Sequence, residues 1–294
     1  MRPIIFHHND LDGRCAAAVV GKFLKTDPEF VETDYGHPFP MERATGRDVW
    51  LVDFSLKSAQ FLDLLGRAAR VWWIDHHKTA VEAVADLAEE RRVSGVWARD
   101  GEKSAALLAW EYLFEDPAPW AVEMVSDYDT WKHGDPQTVL FVAGMKAFED
   151  SPGHPDSPWP FLLGAGGEQK AIEIIIDGGA IRTAETRVSA ALLRAYGFEA
   201  ELQGLRLLCL VRPGIKSYAF ESAPPGRYDA FCAIAFDGFD YTVSLYGCRP
   251  DVDVSAVARS FGGGGHKGAA GFTCVEWPFW GPNLVRVREA WKDG

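Results

Sequence analysis

The sequence predicts an α/β protein whose first part is built on a parallel β-sheet. Three apolar runs each end in acidic or histidine residues, and the first two lead into stretches with helical periodicity. Short runs of branched and aromatic residues are typical of fully buried strands. Strands that alternate with helices of this length predict βαβ crossovers. We therefore expect an N-terminal parallel-sheet domain with helices on both faces, followed by a smaller mixed α/β domain.

The first three units follow one another along the chain. Strands are predicted at 3–6, 48–54 and 71–75, and a further strand at 93–97. Helices are predicted at 13–25, from its alanine content and spacing, and at 56–69, where Ser55 is the expected N-cap. Because ligand crevices in open α/β sheets lie outside the carboxyl ends of the strands, the polar residues at those ends are the first candidates for a site.

The pattern then changes. Two helices are predicted within 103–131, and the proline-rich stretch 151–160 excludes a regular helix. A helix over 168–196 is expected to be interrupted or bent at Gly178 and Gly179. Strands at 204–211, 229–236, 241–246 and 272–275, with a short helix at 254–261, form the last part. The predicted domains are therefore 1–165, a helical linker at 166–200, and 201–294.

The composition is that of an ordinary globular protein, with 47% hydrophobic and 24% charged residues. Asp and Glu outnumber Lys and Arg by 42 to 30, a net charge of −12, which argues against a sequence-independent grip on long duplex nucleic acid. The five cysteines form no CxxC pair and are interpreted as buried thiols. Since no signal-peptide core and no membrane span are recognised, we expect a cytoplasmic protein without a membrane partner.

The ends of the first three predicted strands carry the residues that suggest chemistry. They contribute imidazoles and carboxylates: His7, His8, Asp10 and Asp12 from the first, Asp53 from the second, and Asp75, His76 and His77 from the third. Such nitrogen and oxygen donors suit manganese, magnesium or iron rather than structural zinc. A pair of metals that shares a bridging carboxylate activates water for attack at phosphorus. Each motif alone could be a capping loop, but their conjunction favours a metal centre.

The glycine-rich segment at 262–271, GGGGHKGAAG, is the second signal. Consecutive glycines let a backbone approach a ligand closely and adopt the positive φ angles of an anion-binding nest. A glycine run is more often a flexible linker. This one, however, follows a predicted helix and precedes an apolar strand, so it is interpreted as a substrate-binding segment in which His266 and Lys267 supply donors.

With these motifs in this order, the chain resembles the DHH phosphoesterases that carry a C-terminal DHHA1 domain, and the resemblance covers most of its length. HNDLDG is similar to the first motif, VDFS to the second, DHH to the third and SDYDTW to the fourth, while GGGGHKGAAG is similar to the DHHA1 signature. The resemblance implies a parallel-sheet DHH domain and a smaller mixed α/β DHHA1 domain.

The resemblance also implies roles for individual residues. Two Mn²⁺ ions, with Mg²⁺ as an alternative, would be held by His8, Asp10, Asp12, Asp53, His76 and Asp127, and Asp53 would bridge them. His77 would contact the scissile phosphate and Asp75 would orient a neighbouring histidine. The substrate would also meet Gly263, Gly264, Gly265, His266 and Arg249. His7 competes with His8 as a ligand, and Asp129 competes with Asp127.

The leading hypothesis is a manganese-dependent phosphodiesterase that hydrolyses short single-stranded RNA or DNA oligonucleotides, dinucleotides included, to 5'-mononucleotides. The alternative is a phosphatase acting on 3'-phosphoadenosine 5'-phosphate or a cyclic or linear dinucleotide phosphodiesterase. A RecJ-like exonuclease and a non-catalytic DHH scaffold are less favoured, because the charge is acidic and every expected ligand is present. A homodimer is a possible assembly.

Overall fold

The computed structural model describes the chain except for residues 99–100, 266, 280–283, 288–290 and 292–294 and the side chain of Thr79. The chain forms two compact units, Met1–Ile181 and Arg182–Gly294. The predicted domain limits of 1–165, 166–200 and 201–294 stay predictions.

The first unit contains a parallel sheet of five strands. They are β1 (Ile4–His8), β2 (Glu29–Thr33), β3 (Asp48–Val52), β4 (Arg70–Asp75) and β5 (Ser94–Trp97). Their order across the sheet is β2-β1-β3-β4-β5. The strand β3 therefore lies between β1 and β4, so the three strand ends with polar residues are neighbours.

Helices cover both faces of this sheet. The helices of this unit are α1 (Leu11–Leu24), α2 (Ser58–Arg67), α3 (Lys78–Glu90), α4 (Ala105–Leu113), α5 (Trp120–Asp129), α6 (Thr138–Met145), α7 (Trp159–Leu162) and the first part of α8 (Gly167–Tyr196), whose residues from Arg182 onward belong to the second unit. One face of the sheet, with Ile5, Val52 and Ile74, packs on α1, α4 and α5. The other face, with Phe6 and Trp73, packs on α2 and α3. The predicted fold class of the N-terminal domain is confirmed.

Local details of this unit differ from the sequence prediction. The edge strand β2 was not predicted, and β3 ends at Val52 rather than at Phe54. The predicted N-cap at Ser55 is wrong: α2 begins at Ser58 without a side-chain cap, and the buried Ser55 hydroxyl has no hydrogen-bond partner among the described residues. Ser55 lies too far ahead of the first helical turn to reach its free amides.

The helix α8 runs through Gly178 and Gly179, so the predicted interruption there is wrong. A Cβ atom at Gly178 would lie 1.8 Å from the Leu140 carbonyl oxygen of α6. A Cβ at Gly144 of α6 would likewise lie 2.0 Å from the Ile174 oxygen of α8. These glycines let two helix backbones pack closely, and this packing offsets the conformational cost of glycine inside a helix.

The second unit contains a mixed sheet of seven strands. They are β6 (Phe198–Leu202), β7 (Leu205–Val211), β8 (Ala230–Phe236), β9 (Tyr241–Gly247), β10 (Gly264–Gly265), β11 (Ala269–Cys274) and β12 (Val285–Arg286), with α9 (Val254–Ser260) packed on β9 and β11. The order is β10-β11-β9-β8-β7-β6-β12, and only β7 and β8 pair in parallel among the strands described. The predicted smaller mixed α/β domain is confirmed.

No helix in the described part of the chain has both the length and the apolar character needed to cross a membrane. All five cysteines are free thiols. Cys15, Cys209 and Cys232 are buried as predicted, whereas Cys248 and Cys274 are partly exposed.

Candidate metal centre

The candidate site lies at the carboxyl ends of β1, β3 and β4. His8 is the last residue of β1, Asp53 follows the last residue of β3, and Asp75 is the last residue of β4. Because the three strands are parallel neighbours, their ends lie at the same edge of the sheet. The structure therefore brings together side chains that are far apart in sequence.

Asp53 occupies the middle of the site. Its side chain is 1% exposed, and neither carboxylate oxygen has a hydrogen-bond partner among the described residues. The Oδ1 atom lies 3.4 Å from Nε2 of His76, and the Oδ2 atom lies 3.7 Å from Nδ1 of His8. The two oxygens thus face different neighbours, which is the arrangement that a bridging carboxylate requires.

The backbone of Asp53 is also unusual, with a φ of +52°. Aspartate adopts this left-handed region more readily than most residues, but at some cost in free energy. The Asp53 amide donates to the Ile74 carbonyl oxygen at 2.8 Å, a contact that continues the pairing of β3 with β4. This conformation turns the carboxylate into the site where β3 ends.

His8 and Asp10 form one side of the centre. Nδ1 of His8 lies 2.7 Å from Oδ2 of Asp10. The other oxygen of Asp10 accepts a hydrogen bond from the Gly13 amide at 2.9 Å and caps the N-terminus of α1. The first turn of α1 is therefore tied directly to the first candidate ligands.

Gly13 permits this close approach of α1 to β1. A Cβ atom at position 13 would lie 2.5 Å from the His8 carbonyl oxygen, whereas one at Gly66 of α2 would meet nothing within 4 Å. We expect Gly13→Ala to lower the free energy of unfolding by about 1–3 kcal/mol through overpacking. Urea unfolding should show this loss in Gly13→Ala and none in the control Gly66→Ala. Equal stability of the two variants would contradict the close packing of α1 on β1.

Asp12 is held by the helix α4. Its two oxygens accept hydrogen bonds from the amides of Ala105 and Ala106, at 2.8 and 3.0 Å. These amides lie in the first turn of α4, where free N–H groups and the helix dipole favour an anion. The carboxylate is 2% exposed, and its Oδ2 atom lies 3.6 Å from Nε2 of His76.

Nε2 of His76 faces three carboxylates. It lies 3.6 Å from Asp12, 3.4 Å from Asp53 and 3.3 Å from Asp129, and it makes no hydrogen bond among the described residues. Donors at about 2.1 Å from one octahedral ion lie about 3 Å apart, so the observed spacings are near those of shared ligands. Burial lowers the pKa of His76, which keeps the imidazole neutral, as a metal ligand must be.

Asp75 positions His77. Its Oδ1 atom accepts from the backbone amides of His76 and His77, at 2.7 and 3.0 Å, and lies 2.8 Å from Nδ1 of His77. Burial lowers the pKa of His77, but the hydrogen bond and negative charge of Asp75 outweigh this effect and raise it to about 9. With Nδ1 engaged by Asp75, Nε2 of His77 remains available to another group.

The side chains form three overlapping groups whose donor atoms lie within 4.8 Å of one another. They are His8, Asp10 and Asp53; Asp12, His76 and Asp129; and Asp53, His76 and His77. Burial and four neighbouring carboxylates raise the pKa of Asp53 well above its usual range. Carboxylates crowded in this way can all be ionised at the same time only when a cation lies among them. The residues therefore fit one or two divalent ions.

The structure separates the members of the two pairs that the sequence left open, and which member binds metal stays a prediction. The structure brings His8 into the groups above, while Nδ1 of the buried His7 lies 2.8 Å from the His8 carbonyl oxygen. It also brings Asp129, and not Asp127, to the cluster. The Asp127 carboxylate instead accepts from the Gly134 and Asp135 amides and from the Thr138 hydroxyl.

The predicted substrate-binding residues of the second unit have structural contacts of their own. The Gly263 amide donates to the Ala258 carbonyl oxygen at the end of α9. Gly264 and Gly265 form β10, which pairs with β11. Arg249 forms ion pairs with Asp229 and Asp251. His266 lies outside the described residues. The substrate contacts of these residues stay predictions.

Sequence reasoning missed an aromatic wall beside the centre. The Tyr35 ring stacks on Phe54 with centroids 4.5 Å apart, and it lies 5.8 Å from the His8 ring. Phe54 follows Asp53 directly, so its position at the end of a predicted strand could have identified it from the sequence as a neighbour of the site. Tyr35 lies in a loop after β2. Because the sequence did not predict that strand, it could not predict that Tyr35 lies beside the site.

Comparisons with known proteins give distant similarities. No family model matches the chain. An uncharacterized protein of Acanthamoeba polyphaga mimivirus is 24% identical, and the match covers 79% of this chain but only 54% of that protein, so the chain spans about half the length of this curated relative.

Two solved structures are similar over most of the chain. PggH of Vibrio cholerae, described as a pGpG-specific phosphodiesterase, is 16% identical with a TM-score of 0.49 and coverage of 93% of both chains. RecJ of Thermus thermophilus, solved in complex with Mn²⁺, is 15% identical with a TM-score of 0.47, covering 92% of this chain and 49% of RecJ. By its ordered motifs and the geometry that they adopt, the chain resembles the DHH phosphoesterases with a DHHA1 domain.

Proposed function

We propose that this chain is a divalent-metal-dependent phosphodiesterase that hydrolyses short single-stranded oligonucleotides to 5'-mononucleotides. The observation that carries the proposal is the Asp53 carboxylate, which is buried without a hydrogen-bond partner among the described residues and turns its oxygens toward two ligand groups. A buried carboxylate in this state costs folding free energy unless a cation compensates it. A metal-dependent reaction would account for the presence of a buried carboxylate that lowers the stability of the metal-free protein.

Two groups of side chains would hold the ions, with Asp53 shared between them. They are His8 and Asp10 on one side, and Asp12, His76 and Asp129 on the other. Imidazole and carboxylate donors without a thiolate suit Mn²⁺, with Mg²⁺ as an alternative. Such ions supply an activated water and positive charge for in-line attack at phosphorus.

His77 would contact the phosphate that is cleaved. Its side chain is 36% exposed, and its Nδ1 atom is engaged by Asp75, which is fully buried. The Nε2 atom can then donate to a phosphate oxygen. Because Asp75 also accepts two backbone amides, the ring is held in place before substrate arrives, and a donor fixed in this way stabilises developing charge without reorganisation.

The charge of the protein favours short substrates. With a net charge of −12, the protein has little to gain from each added phosphate of a long strand, since nucleic-acid affinity depends largely on phosphates neutralised by Lys and Arg. A dinucleotide or a very short oligonucleotide presents few phosphates, and the contacts at the scissile phosphate then carry most of the binding.

We expect kcat/KM to fall or plateau as substrates lengthen from two to about twenty-four nucleotides, a range that brackets the site sizes of single-strand-binding folds. A site that contacts one or two phosphates predicts a slope of about −1 for log K against log salt. Chelation of divalent ions should abolish hydrolysis, and Mn²⁺ should restore it.

The same assay separates the alternatives when 3'-phosphoadenosine 5'-phosphate and cyclic dinucleotides are added to the panel. A preference for either compound would support the corresponding phosphatase or cyclic dinucleotide phosphodiesterase. A preference for the longest strand with a steep salt slope would support a RecJ-like exonuclease. Absence of hydrolysis of every substrate with Mn²⁺ present would overturn the proposal and favour a non-catalytic scaffold.

A further inference from the structure

A cavity of about 420 Å³ opens beside the candidate metal centre. Its lining includes three aromatic side chains and three polar ones: Tyr35, Phe39 and Phe54, and Lys57, Gln60 and His77. His77 belongs both to this cavity and to the candidate metal centre. A molecule whose phosphate lies against His77 would therefore extend its neighbouring group into the cavity.

Tyr35 forms a fixed platform in this cavity. One face of its ring is covered by Phe54, at a centroid distance of 4.5 Å and an interplanar angle of 27°, and Phe54 in turn stacks on Phe39 at 11°. The Tyr35 hydroxyl accepts a hydrogen bond from the Ser55 amide at 3.3 Å. Tyr35 nevertheless remains 56% exposed, so it offers aromatic surface at a position held by its neighbours.

We infer that this cavity binds the nucleobase next to the scissile phosphate, by stacking on the exposed surface of Tyr35. The inference rests on the proposed function, because it places a nucleotide at the metal centre. The Tyr35 ring lies 5.8 Å from the His8 ring, so a base stacked on it would lie next to the candidate metal centre. A nucleobase supplies a flat partner, and base–aromatic stacking contributes about 1–3 kcal/mol per base.

The size and polarity of the cavity agree with this occupant. Pockets for small ligands typically enclose about 300–1,000 Å³ and combine apolar walls with a few polar groups. Lys57 and Gln60 line the same cavity and supply donors, and Gln60 also supplies an acceptor. We expect stacking on Tyr35 to contribute more than hydrogen bonds to the base edge, so the site should accept purines and pyrimidines.

The test compares substrates with and without a base. In the Mn²⁺-loaded protein, Tyr35→Ala should lower kcat/KM on a dinucleotide about tenfold or more, the equivalent of about 1.4 kcal/mol. Hydrolysis of the matched abasic dinucleotide should change little. Tyr35→Phe keeps the ring and should therefore retain the preference for the base-containing dinucleotide over the abasic one. Tyr112→Ala, at an exposed tyrosine that lines a cavity near the amino ends of β3 and β4, is the matched control.

A binding measurement separates this inference from the proposed function. Calorimetry should show AMP binding about tenfold tighter than ribose 5-phosphate to the wild type, and Tyr35→Ala should remove most of that difference. An equal loss on base-containing and abasic substrates, or an unchanged AMP preference, would overturn the inference even when hydrolysis is intact. A wild-type AMP preference that Tyr35→Ala removes, without hydrolysis of any diester, would support the base site and overturn the phosphodiesterase.

Discussion

Asp53→Asn should lower the rate of phosphodiester hydrolysis by at least about two to three orders of magnitude, comparable to other large electrostatic losses in catalysis. Asn keeps the size of the side chain but offers only one oxygen, and that oxygen is neutral. It cannot serve both ligand groups, which the two Asp53 oxygens face at 3.4 and 3.7 Å. Calorimetric titration with Mn²⁺ should also show fewer or weaker sites.

The fold of Asp53→Asn should remain intact. Burial and nearby carboxylates raise the pKa of Asp53, so its neutral form is favoured in the absence of metal, and Asn matches that form in size and charge. Asp63→Asn provides the matched control, because Asp63 is exposed on α2 and pairs with Arg67. Wild-type turnover and Mn²⁺ binding by Asp53→Asn would exclude a bridging role for this carboxylate.

The sequence was sufficient to predict the central strands and the residues at their ends. Apolar runs such as 71–75 mark strands buried on both faces, and a parallel arrangement collects their carboxyl ends at one edge. The edge strand β2 escaped prediction because only two of its five residues, Val31 and Thr33, are buried. A half-exposed edge strand lacks the continuous apolar run that identifies its neighbours.

The choice between His7 and His8 depended on where β1 ends. Adjacent residues of a strand point to opposite faces, so only one of the two can face the site while the strand continues. The structure extends β1 through His8, two residues beyond the apolar run, and leaves His7 1% exposed. The sequence contains no signal for that extension, because histidines neither favour nor end a strand strongly.

The choice between Asp127 and Asp129 could not be made from the helical pattern of α5. Helical residues three and four apart lie on one face, and Asp129 continues the row of Val122 and Val125, both buried in α5. Asp127 lies four residues after the exposed Glu123 but three residues after the buried Met124. The amphipathic pattern of α5 therefore leaves both aspartates at the border of the buried face, and only the structure places Asp129 among the candidate metal ligands.

Asp129→Ala and Asp127→Ala should consequently have different effects, although the two residues lie on one helix. Asp129→Ala removes a carboxylate 3.3 Å from Nε2 of His76. Loss of groups that merely support a metal ligand costs about 10–100-fold in affinity or activity, so loss of a ligand should cost at least as much. Mn²⁺ affinity and hydrolysis should both fall more than in Asp127→Ala.

Asp127→Ala should show the reverse pattern. Its carboxylate accepts hydrogen bonds from the Gly134 amide, the Asp135 amide and the Thr138 hydroxyl, at 2.7, 3.3 and 2.7 Å. These bonds tie the end of α5 to the start of α6, and losing them should lower the free energy of unfolding by about 1–3 kcal/mol. Mn²⁺ titration and urea unfolding of both variants decide the assignment. Loss of Mn²⁺ binding in Asp127→Ala, with Asp129→Ala unaffected, would identify Asp127 as the ligand and require α5 to turn on its axis when metal binds.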